Sequence, residues 1–456
     1  MIDNGVDIFR LNFSHGTLDG HAKSLETLNA SRSHHRHTTA VMCDLCGPKI
    51  RIGRIHPEGE VLKAGDEVRI VHSEEVGTLN RFGTNYENFF QDVDVGQRIF
   101  IDDGMIALRV ISKSDDETVC EVMVGGPLHS RKGINLPDTR VSVPSITERD
   151  WQCVDWAIRH EADFLALSFV RSADEINQLK SYLSKAGADI KVVAKIETPQ
   201  ALSHLEEIIQ ASDAILVARG DLGVEMDLAE VPVIQKRITH NCQRLGKPVI
   251  VATQMLQSMI DNPVATRAEV SDVANAIMDF TDVTMLSGET AVGKYPLEAA
   301  KTIRRIARVT EAYLQQNEVA RDKTITGDEL ILTAAMARSV DQIVDDISAK
   351  LVAVWSQTGA TVRLLSKERI SVPILALSSN QRTCNQMSLH YGVIPRCQPI
   401  PEDINQFTRM VEHLILSRKW ALIGDKIVLV VGQRIGIAGA TNAVIVHTIS
   451  DRRPPH

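Results

Sequence analysis

A repeated pattern between residues 145 and 310 constrains the fold of this chain more than any other sequence feature. Short apolar runs alternate there with amphipathic stretches of helical period, at spacings of roughly 25–35 residues. Such alternation is typical of βα units that build a parallel sheet. Two further runs come before this segment, so the sequence predicts seven strands: residues 6–13, 38–45, 163–169, 191–197, 214–218, 248–252 and 282–286.

The number of strands favours a barrel over an open sheet. Six strands would suit an open doubly wound sheet, whereas seven or eight in unbroken alternation indicate a (β/α)8 TIM barrel. Because such a barrel closes with eight strands, we expect one strand and most of a helix to precede Met1. The opening MIDNGVDIF agrees, since it has the pattern of a helix end capped at Asn4-Gly5. The predicted fold class is therefore α/β, a TIM barrel whose first βα unit is missing.

Two other regions have residue patterns that differ from that of the predicted barrel. Residues 53–137 contain alternating apolar runs broken by Gly and Asp, which predicts a small antiparallel β-barrel inserted as a lid domain. From about residue 325 a helical stretch leads into a second α/β region. We therefore assign residues 1–52 and 138–324 to the barrel, 53–137 to the lid and 325–456 to a C-terminal α/β domain.

Composition narrows the functional classes. The net charge of −8 argues against nucleic acid as the main partner, although it allows a local basic pocket for a small anion. No apolar run approaches the ~18 residues that span a bilayer, so no membrane association is expected. The first residues lack the order of charged, apolar and small residues that marks a signal peptide. We expect a cytoplasmic protein.

The seven cysteines are scattered, which is typical of reduced thiols rather than of a disulfide framework. Cys43 and Cys46 have the Cys-x-x-Cys spacing of zinc and redox sites. A structural zinc site needs a second pair of ligands, and the sequence has no other Cys-x-x-Cys. A redox motif is followed by a helix, but here Gly47-Pro48 predicts a turn. We interpret both thiols as bystanders at the end of a strand.

Charged and small residues collect where the predicted barrel strands end, which is the catalytic end of such barrels. One lysine, two carboxylates and several arginines at one mouth suit a phosphorylated, metal-bound anion. Each residue also has a plainer interpretation, as a solvated ion pair, a strand-to-helix loop or a structural hydroxyl. These strand-end residues are Arg10, Asn12, Ser14, Asp44, Arg51, Ser168, Phe169, Arg171, Lys195, Glu197, Arg219, Gly220, Asp221, Thr253 and Ser287.

Nine motifs follow one another along the chain: RLNFSHG (10–16), GPKIR (47–51), DDG (102–104), KGINLP (132–137), KIE (195–197), ARGDLGVE (218–225), ATQMLQSM (252–259), NPVATRAEVSDVANA (262–276) and MLSGETAVGKYP (285–296). In this order they resemble the signatures of the pyruvate kinase family, along essentially the whole chain. The family's architecture of barrel, inserted lid and C-terminal regulatory domain is similar to the organisation predicted above.

The resemblance implies phosphoryl transfer from phosphoenolpyruvate to ADP, giving pyruvate and ATP. It places Lys195 against the phosphoryl group, and Arg10 and Arg51 around the phosphate. It also implies that Glu197 and Asp221 hold Mg²⁺, for which Mn²⁺ could substitute.

Further residues take roles by the same resemblance. Thr253 and Ser287 would lie on the face where the enolate carbon is protonated, and Thr253 would share the substrate site with Phe169 and Gly220. His15, Arg51 and Lys132 would face the nucleotide phosphates, with Asn12 also in the nucleotide site, and Asp102 or Asp103 on the lid would close over them and exclude water.

One corner of the site departs from the common family pattern. Members that need K⁺ bind it near residues that correspond to Asn12, Ser14 and Asp44, with a Thr and a Glu beside them. Here Leu45 and Lys49 take those two positions. Leucine removes an oxygen ligand and lysine brings a fixed ammonium, so we predict that K⁺ is not required.

The C-terminal region carries an effector motif by resemblance. SQTGAT (356–361) lies between a predicted strand and helix, where it could form a phosphate nest or an ordinary helix cap. In the family this loop holds the phosphate of an allosteric effector, and the family is usually a homotetramer. The predicted effector residues are Ser356, Thr358, Gly359, Thr361 and Arg434.

Two competing interpretations remain. Another Mg²⁺-enolate barrel, such as a pyruvate-forming aldolase, would share the paired carboxylates, but those enzymes lack the lid and the Lys-x-Glu. The chain could also be an inactive, truncated paralogue that serves as an assembly subunit. Against this interpretation, the chain retains Lys195, Glu197, Asp221 and Thr253.

Overall fold

The structure is a computed structural model that describes residues 1–35, 38–317, 331–432, 434–437, 439 and 441–450. Its strands form three separate sheets. In the described residues, no helix combines the length and the apolar character needed to cross a bilayer.

The described residues form eighteen strands. In chain order they are β1 (Ile8–Asn12), β2 (Ala40–Asp44), β3 (Glu67–Val71), β4 (Arg81–Gly83), β5 (Arg98–Ile101), β6 (Ile106–Lys113), β7 (Glu117–Val124), β8 (Ile134–Asn135), β9 (Phe164–Leu167), β10 (Lys191–Ile196), β11 (Ala214–Ala218), β12 (Val249–Ala252), β13 (Val283–Met285), β14 (Val352–Trp355), β15 (Ile374–Ser378), β16 (Val393–Cys397), β17 (Lys426–Gly432) and β18 (Thr441–Thr448).

Fifteen α-helices connect and cover them in the described ranges. They are α1 (Leu18–His35), α2 (Phe89–Asp92), α3 (Glu148–Arg159), α4 (Ala173–Lys185), α5 (Pro199–Ser203), α6 (Leu205–Ala211), α7 (Arg219–Glu225), α8 (Val231–Arg244), α9 (Arg267–Met278), α10 (Gly288–Ala291), α11 (Pro296–Gln316), α12 (Ile331–Ile347), α13 (Ala360–Lys367), α14 (Gln381–Met387) and α15 (Ile404–Ser417). Short 3-10 helices occupy Ile2–Asn4 and Gln257–Ile260.

The predicted α/β barrel is confirmed as a seven-stranded parallel sheet. Its strand order is β1-β2-β9-β10-β11-β12-β13, and each of the seven apolar runs predicted from the sequence supplies one strand. At its start, Gly5 ends the first 3-10 turn in the left-handed region, at φ 85°. This is the capped turn predicted at Asn4-Gly5, because glycine adopts positive φ without a Cβ clash.

Strand alternation gives the barrel two apolar faces. One set of alternate residues, including Val41, Leu165 and Val192, packs against the surrounding helices. The other set, including Met42 and Val193, forms a second cluster inside the barrel. Since side chains alternate along a strand, the residues that follow the inner set at the strand ends point toward the same inner space.

The lid is a six-stranded sheet of order β4-β3-β7-β6-β5-β8, antiparallel except for the β3–β4 pair. It has its own apolar core, which includes Ile70, Phe82 and Phe89. A hydrogen bond of 2.8 Å from Asn135 Nδ2 to Glu225 Oε1 connects the last lid strand to the barrel. The lid therefore lies beside α7, at the carboxyl end of β11.

The C-terminal region is a second α/β unit with sheet order β16-β15-β14-β17-β18, in which β18 runs antiparallel to β17. The helical stretch predicted from about residue 325 is observed from Ile331 to Ile347, and residues 325–330 lie outside the described part. The domain boundary predicted at 324/325 also lies outside it.

Buried polar contacts join this unit to the base of the barrel. Asp282, just before β13, accepts hydrogen bonds from Lys367 Nζ at 2.6 Å and from Arg369 Nη2 at 3.0 Å, and all three side chains are buried. Asp163, just before β9, accepts one from Asn385 Nδ2 at 3.1 Å. Both aspartates lie at the amino ends of barrel strands, opposite the predicted site.

Candidate active site

Lys195 is the centre of a polar layer above the inner apolar cluster. It follows Val193 by two residues on β10, so strand alternation directs it inward. Its Nζ donates to Ser168 Oγ at 2.7 Å and lies 2.7 Å from Glu197 Oε1 and 3.5 Å from Asp44 Oδ1. Burial alone would lower the pKa of Lys195, but the neighbouring carboxylates, Asp44 first, outweigh it and raise the pKa above its ordinary value. The ammonium therefore remains charged in a buried site.

Asp44 pairs this lysine with an arginine. Arg10 Nε donates to Asp44 Oδ2 at 2.7 Å, and Arg10 Nη2 lies 2.5 Å from the same oxygen. Burial opposes ionisation of the carboxyl group, yet Lys195 and then Arg10 hold the pKa of Asp44 below its ordinary value. β1 and β2 bring the two residues together, because the register places Asn12 opposite Asp44.

Glu197 and Asp221 are two neighbouring carboxylates at the ends of adjacent strands. Glu197 is buried, and its Oε2 accepts a hydrogen bond of 2.6 Å from the backbone N–H of Phe169. Burial raises the pKa of Glu197, Lys195 opposes that rise, and the Asp221 carboxylate adds to it. Asp221 lies in the first turn of α7. Two adjacent oxygen ligands whose charges repel each other suit a hard divalent cation.

Gly220 and Thr253 are joined directly. The Gly220 N–H donates to Thr253 Oγ1 at 2.7 Å, and this hydroxyl donates in turn to the Ala252 carbonyl at 2.7 Å. Thr253 and Gln254 have φ values of +66° and +53°, in the left-handed region that non-glycine residues seldom adopt. Such backbone strain commonly occurs at functional sites.

Two of the strand-end arginines, Arg171 and Arg219, form structural contacts. Arg219 donates to both Asp272 oxygens at 2.7 Å and to the Thr253 carbonyl at 2.8 Å. Arg171 pairs with Glu175 and donates to two backbone carbonyls of the segment that leads from the lid to α3. These contacts engage both guanidinium groups within the protein, as Asp44 engages that of Arg10.

Ser287 follows β13 and is placed by a residue that sequence reasoning missed. Its Oγ is buried and has no hydrogen-bond partner in the described part of the chain. Its backbone N–H donates to Glu289 Oε2 at 2.7 Å. Glu289 lies in the MLSGET motif, but no sequence pattern identified which backbone groups its carboxylate would reach.

The predicted nucleotide residues fall into two groups. On the lid, Lys132 Nζ lies 2.9 Å from Asp102 Oδ1, and Asp102 and Asp103 both have positive φ. Arg51, where the chain enters the lid, donates to the Arg131 carbonyl at 3.0 Å.

The second group belongs to the loop after β1. Asn12 Oδ1 accepts a 3.1 Å hydrogen bond from the Ser14 N–H, and the exposed His15 contacts His21 through its carbonyl. Among the described residues, no hydrogen bond or ion pair joins this loop to Lys132 or Asp102.

The predicted monovalent-cation corner has a specific geometry. Leu45 is 1 % exposed and belongs to the barrel core, so it offers no ligand. Lys49 is exposed and, within the described residues, forms no ion pair with Asp44. The fixed positive charges beside Asp44 are therefore those of Arg10 and Lys195, rather than the expected charge of Lys49.

The predicted effector motif lines a cavity of about 60 Å³ in the C-terminal domain. The Gly359 N–H donates to Ser356 Oγ at 3.0 Å, and Gly359 has φ +79° at the start of α13. Thr361 Oγ1 lies 2.9 Å from Thr441 Oγ1. The five predicted effector residues are thus near one cavity: Ser356, Thr358, Thr361 and Arg434 line it, and Gly359 lies between them along the chain.

The thiols show no sign of a metal or disulfide site. All seven cysteines are free, and Cys43 and Cys46 are buried. The described residues contain no group of three or more His, Cys, Asp or Glu side chains arranged to bind a metal. The paired carboxylates described above would need substrate or water oxygens to complete a coordination shell, as is usual for Mg²⁺.

Comparison with known proteins gives consistent matches over nearly the whole chain. The family model described as "Pyruvate kinase, barrel domain" matches residues 1–300, and "Pyruvate kinase, alpha/beta domain" matches residues 334–447. A pyruvate kinase of Geobacillus stearothermophilus is 37% identical over 454 residues, which cover 99% of this chain and 77% of that protein. One of Mycobacterium tuberculosis is 38% identical over 451 residues, covering 99% and 94%. The crystal structure of a Cryptosporidium parvum pyruvate kinase superposes with a TM-score of 0.91 at 31% identity, covering 98% of this chain and 92% of that one.

Proposed function

Because the chain belongs to the pyruvate kinase family, we propose that the buried cluster around Lys195 is where it transfers the phosphoryl group of phosphoenolpyruvate to ADP. The activity itself is that of a glycolytic phosphotransferase, yielding pyruvate and ATP. One observation carries the assignment of the site: a charged lysine is buried among Asp44, Glu197 and Ser168 at the carboxyl ends of the barrel strands.

Lys195, Arg10 and Arg51 bind the phosphoryl group as fixed positive charges. The transferring group spreads negative charge over its oxygens, so catalysis depends on positioning and neutralisation rather than on covalent chemistry. Asp44 orients both Arg10 and Lys195, which keeps their charges in place before substrate arrives. The same lysine remains beside the enolate that is left when the phosphoryl group departs.

Glu197 and Asp221 hold Mg²⁺, on which this family typically depends, and Mn²⁺ can take the same oxygen ligands. The mutual repulsion of these carboxylates supports the assignment, because a divalent cation relieves it. When bound, the metal ion supplies neutralisation of the phosphoryl charge and polarisation of the substrate's carboxylate and enol oxygens. Phe169 and Gly220 border the same space through their backbone groups.

Thr253 and Ser287 provide hydroxyl groups where the enolate carbon takes up a proton. Ser287 Oγ supports this role, since a buried hydroxyl without a partner is uncommon unless a substrate or water completes it. Residues of the lid and of the first barrel loop form the nucleotide site, in which the lid aspartates close over the phosphates and exclude water. These residues are Asn12, His15, Arg51, Asp102, Asp103 and Lys132.

K⁺ is not required for this reaction. Leu45 fills with a buried apolar side chain the position where K⁺-dependent relatives would offer an oxygen. Asn12, Ser14 and Asp44 still offer oxygens, but Asp44 is already neutralised by Arg10 and Lys195. Lys49 takes the position where K⁺-dependent relatives have a glutamate, so the corner lacks that carboxylate. The exposed Lys49 ammonium also adds positive charge nearby.

A phosphorylated effector binds the cavity at the start of α13. Hydroxyl groups around a left-handed glycine at a helix start suit a phosphate, and Arg434 lines the same space. By family resemblance the enzyme is a homotetramer. We also place the enzyme in the cytoplasm, which agrees with its seven free cysteines. We divide the chain into domains at residues 52/53, 137/138 and 324/325.

A lactate dehydrogenase-coupled assay with phosphoenolpyruvate, ADP and Mg²⁺ tests the proposed site. Lys195→Met should lower kcat by about 10²–10³, the usual effect of removing one charge-stabilising group. Lys191→Met is the matched control, because Lys191 lies on the same strand but pairs with Asp189 near the surface. Wild-type rates in Lys195→Met would exclude the site. A wild-type enzyme without activity would favour the inactive assembly subunit, and release of pyruvate from an aldol substrate would favour the aldolase.

A further inference from the structure

Glu289 connects the two loops that carry the hydroxyls of the proton site. Its Oε1 accepts a 3.0 Å hydrogen bond from the backbone N–H of Leu256, and its Oε2 accepts one of 2.7 Å from that of Ser287. The side chain is 1 % exposed. One buried carboxylate therefore spans the loops that follow the adjacent strands β12 and β13.

These loops are held close at other points as well. The Lys294 N–H donates to the Ile260 carbonyl at 2.8 Å. The Ile260 side chain packs against Gly288, where a built Cβ would lie 2.9 Å from Ile260 Cδ1. From the other side, Arg219 donates to the Thr253 carbonyl at 2.8 Å. The Thr253–Leu256 segment is thus fixed at its start by Arg219 and at its end by Glu289.

We infer that Glu289 is a positioning residue for proton transfer: it sets the distance between the Thr253 and Ser287 hydroxyls. The inference rests on the proposed roles of those two hydroxyls. Both oxygens of Glu289 already accept backbone N–H groups, so it acts on the loops and does not touch the substrate. Its contribution concerns the second half of the reaction, after the phosphoryl group has left.

The affected step is the uptake of one proton by the enolate. The π pair of the enolate forms the new C–H bond at the methylene carbon, the C–O⁻ becomes a carbonyl, and solvent supplies the proton through the hydroxyls. The reverse step removes a methyl proton from pyruvate. Wild-type enzyme with Mg²⁺ should therefore exchange the methyl hydrogens of pyruvate with D₂O, a reaction that needs no ADP and that proton NMR follows directly.

Glu289→Gln keeps the size of the side chain but presents an amide NH₂ toward one of the two backbone N–H groups. We expect the pyruvate exchange rate to fall by about tenfold to a hundredfold, the effect of a displacement of roughly 1 Å in a reacting group. The KM for phosphoenolpyruvate should stay near the wild-type value. The control is Glu298→Gln, the same change at an exposed carboxylate that pairs with Lys301.

The outcomes separate this inference from the proposed function. Equal losses in exchange and in phosphoenolpyruvate binding, or an unchanged exchange rate, would overturn the positioning role. Thr253→Ala and Ser287→Ala test the hydroxyls themselves, and wild-type exchange in both would refute the proposed proton site. If circular dichroism shows that Glu289→Gln does not fold, Glu289→Asp is measured instead: the shorter carboxylate retains both acceptors and should give the same selective loss of exchange.

Discussion

The Asp44 carboxylate lies 3.5 Å from the Lys195 ammonium, and the two groups belong to strands β2 and β10, which β9 separates in the parallel sheet. The same carboxylate binds Arg10 at 2.7 Å. Asp44 is thus the buried counter-ion through which two cations of the phosphoryl site are held in place. An aspartate that looked from the sequence like one ligand of a cation corner has a wider structural role.

Asp44→Asn should separate this orienting role from simple packing. The amide keeps the size of the side chain but removes the charge that pairs with Arg10 and Lys195, which leaves Glu197 as the carboxylate paired with the buried Lys195. We expect kcat/KM for phosphoenolpyruvate to fall by about 10–100-fold, together with a loss of stability. Steady-state kinetics at saturating ADP measure the effect, with Asp189→Asn, an exposed aspartate, as control. Unchanged kcat/KM would contradict the orienting role.

Asp221→Asn should weaken metal binding more than substrate binding. The change removes one of two charged oxygen ligands, and the Mg²⁺ concentration at half-maximal rate should rise by about tenfold or more. Asp227→Asn is the matched control, since Asp227 lies shortly after α7 and only caps a turn there. An Mg²⁺ titration that gives the same midpoint for wild type and Asp221→Asn would rule out Asp221 as a ligand.

The proposed K⁺ independence has a direct test. When K⁺ is replaced by tetramethylammonium at constant ionic strength, the rate should stay within about twofold, because screening is unchanged. The double variant Leu45→Thr, Lys49→Glu should restore the missing oxygens and make activity depend on K⁺. A large loss of wild-type rate in tetramethylammonium would refute the proposal.

Lys367→Met should destabilise the junction between the barrel and the C-terminal domain. Lys367 and Asp282 are each 1 % exposed and pair at 2.6 Å, so the variant leaves a buried carboxylate with Arg369 as its remaining cation. Removing one partner of such a pair costs about 3–5 kcal/mol. Urea unfolding should show a lower midpoint than for wild type, whereas Lys350→Met, at an exposed lysine, should not. Equal midpoints for both variants would show that the pair contributes little.

Asp163 predicts a specific pH dependence of stability. It is 2 % exposed, and burial raises its pKa from 3.8 to about 6, although hydrogen bonds from Val41 and Asn385 oppose the rise. Between these values the folded state binds more protons than the unfolded state, so this group's contribution to stability is present below pH 3.8 and is lost as pH rises through 6.

Asp163→Asn should abolish this loss of stability with rising pH. In going from about pH 5 to pH 7.5, the variant should gain about 1.4 kcal/mol in unfolding free energy relative to wild type. Urea titrations of both proteins at the two pH values measure this difference. A constant difference would show that the folded-state pKa of Asp163 is not raised.

The arrangement of the barrel was accessible from the sequence because it depends on short-range periodicity. Seven apolar runs with helical stretches between them predicted seven parallel strands, and all seven were found. Period-two alternation also indicated that Lys195 and Glu197 share a face, and Val193 on that same face lies in the inner cluster. The second α/β region was predicted from the same kind of pattern.

The tertiary structure decided which of these polar residues are free to act. The sequence grouped Arg171 and Arg219 with the other strand-end arginines, but only the folded chain brings Asp272 and several backbone carbonyls to their guanidinium groups. It likewise directed Lys49 to the surface and brought the Glu289 carboxylate to two backbone N–H groups. Hydrogen bonding depends on distance and direction between residues that are far apart in the chain, and neither is encoded in local pattern. The sequence by itself determined the strands, their facing and the family motifs, whereas the partners of each charge were set only when the barrel brought its strand ends together.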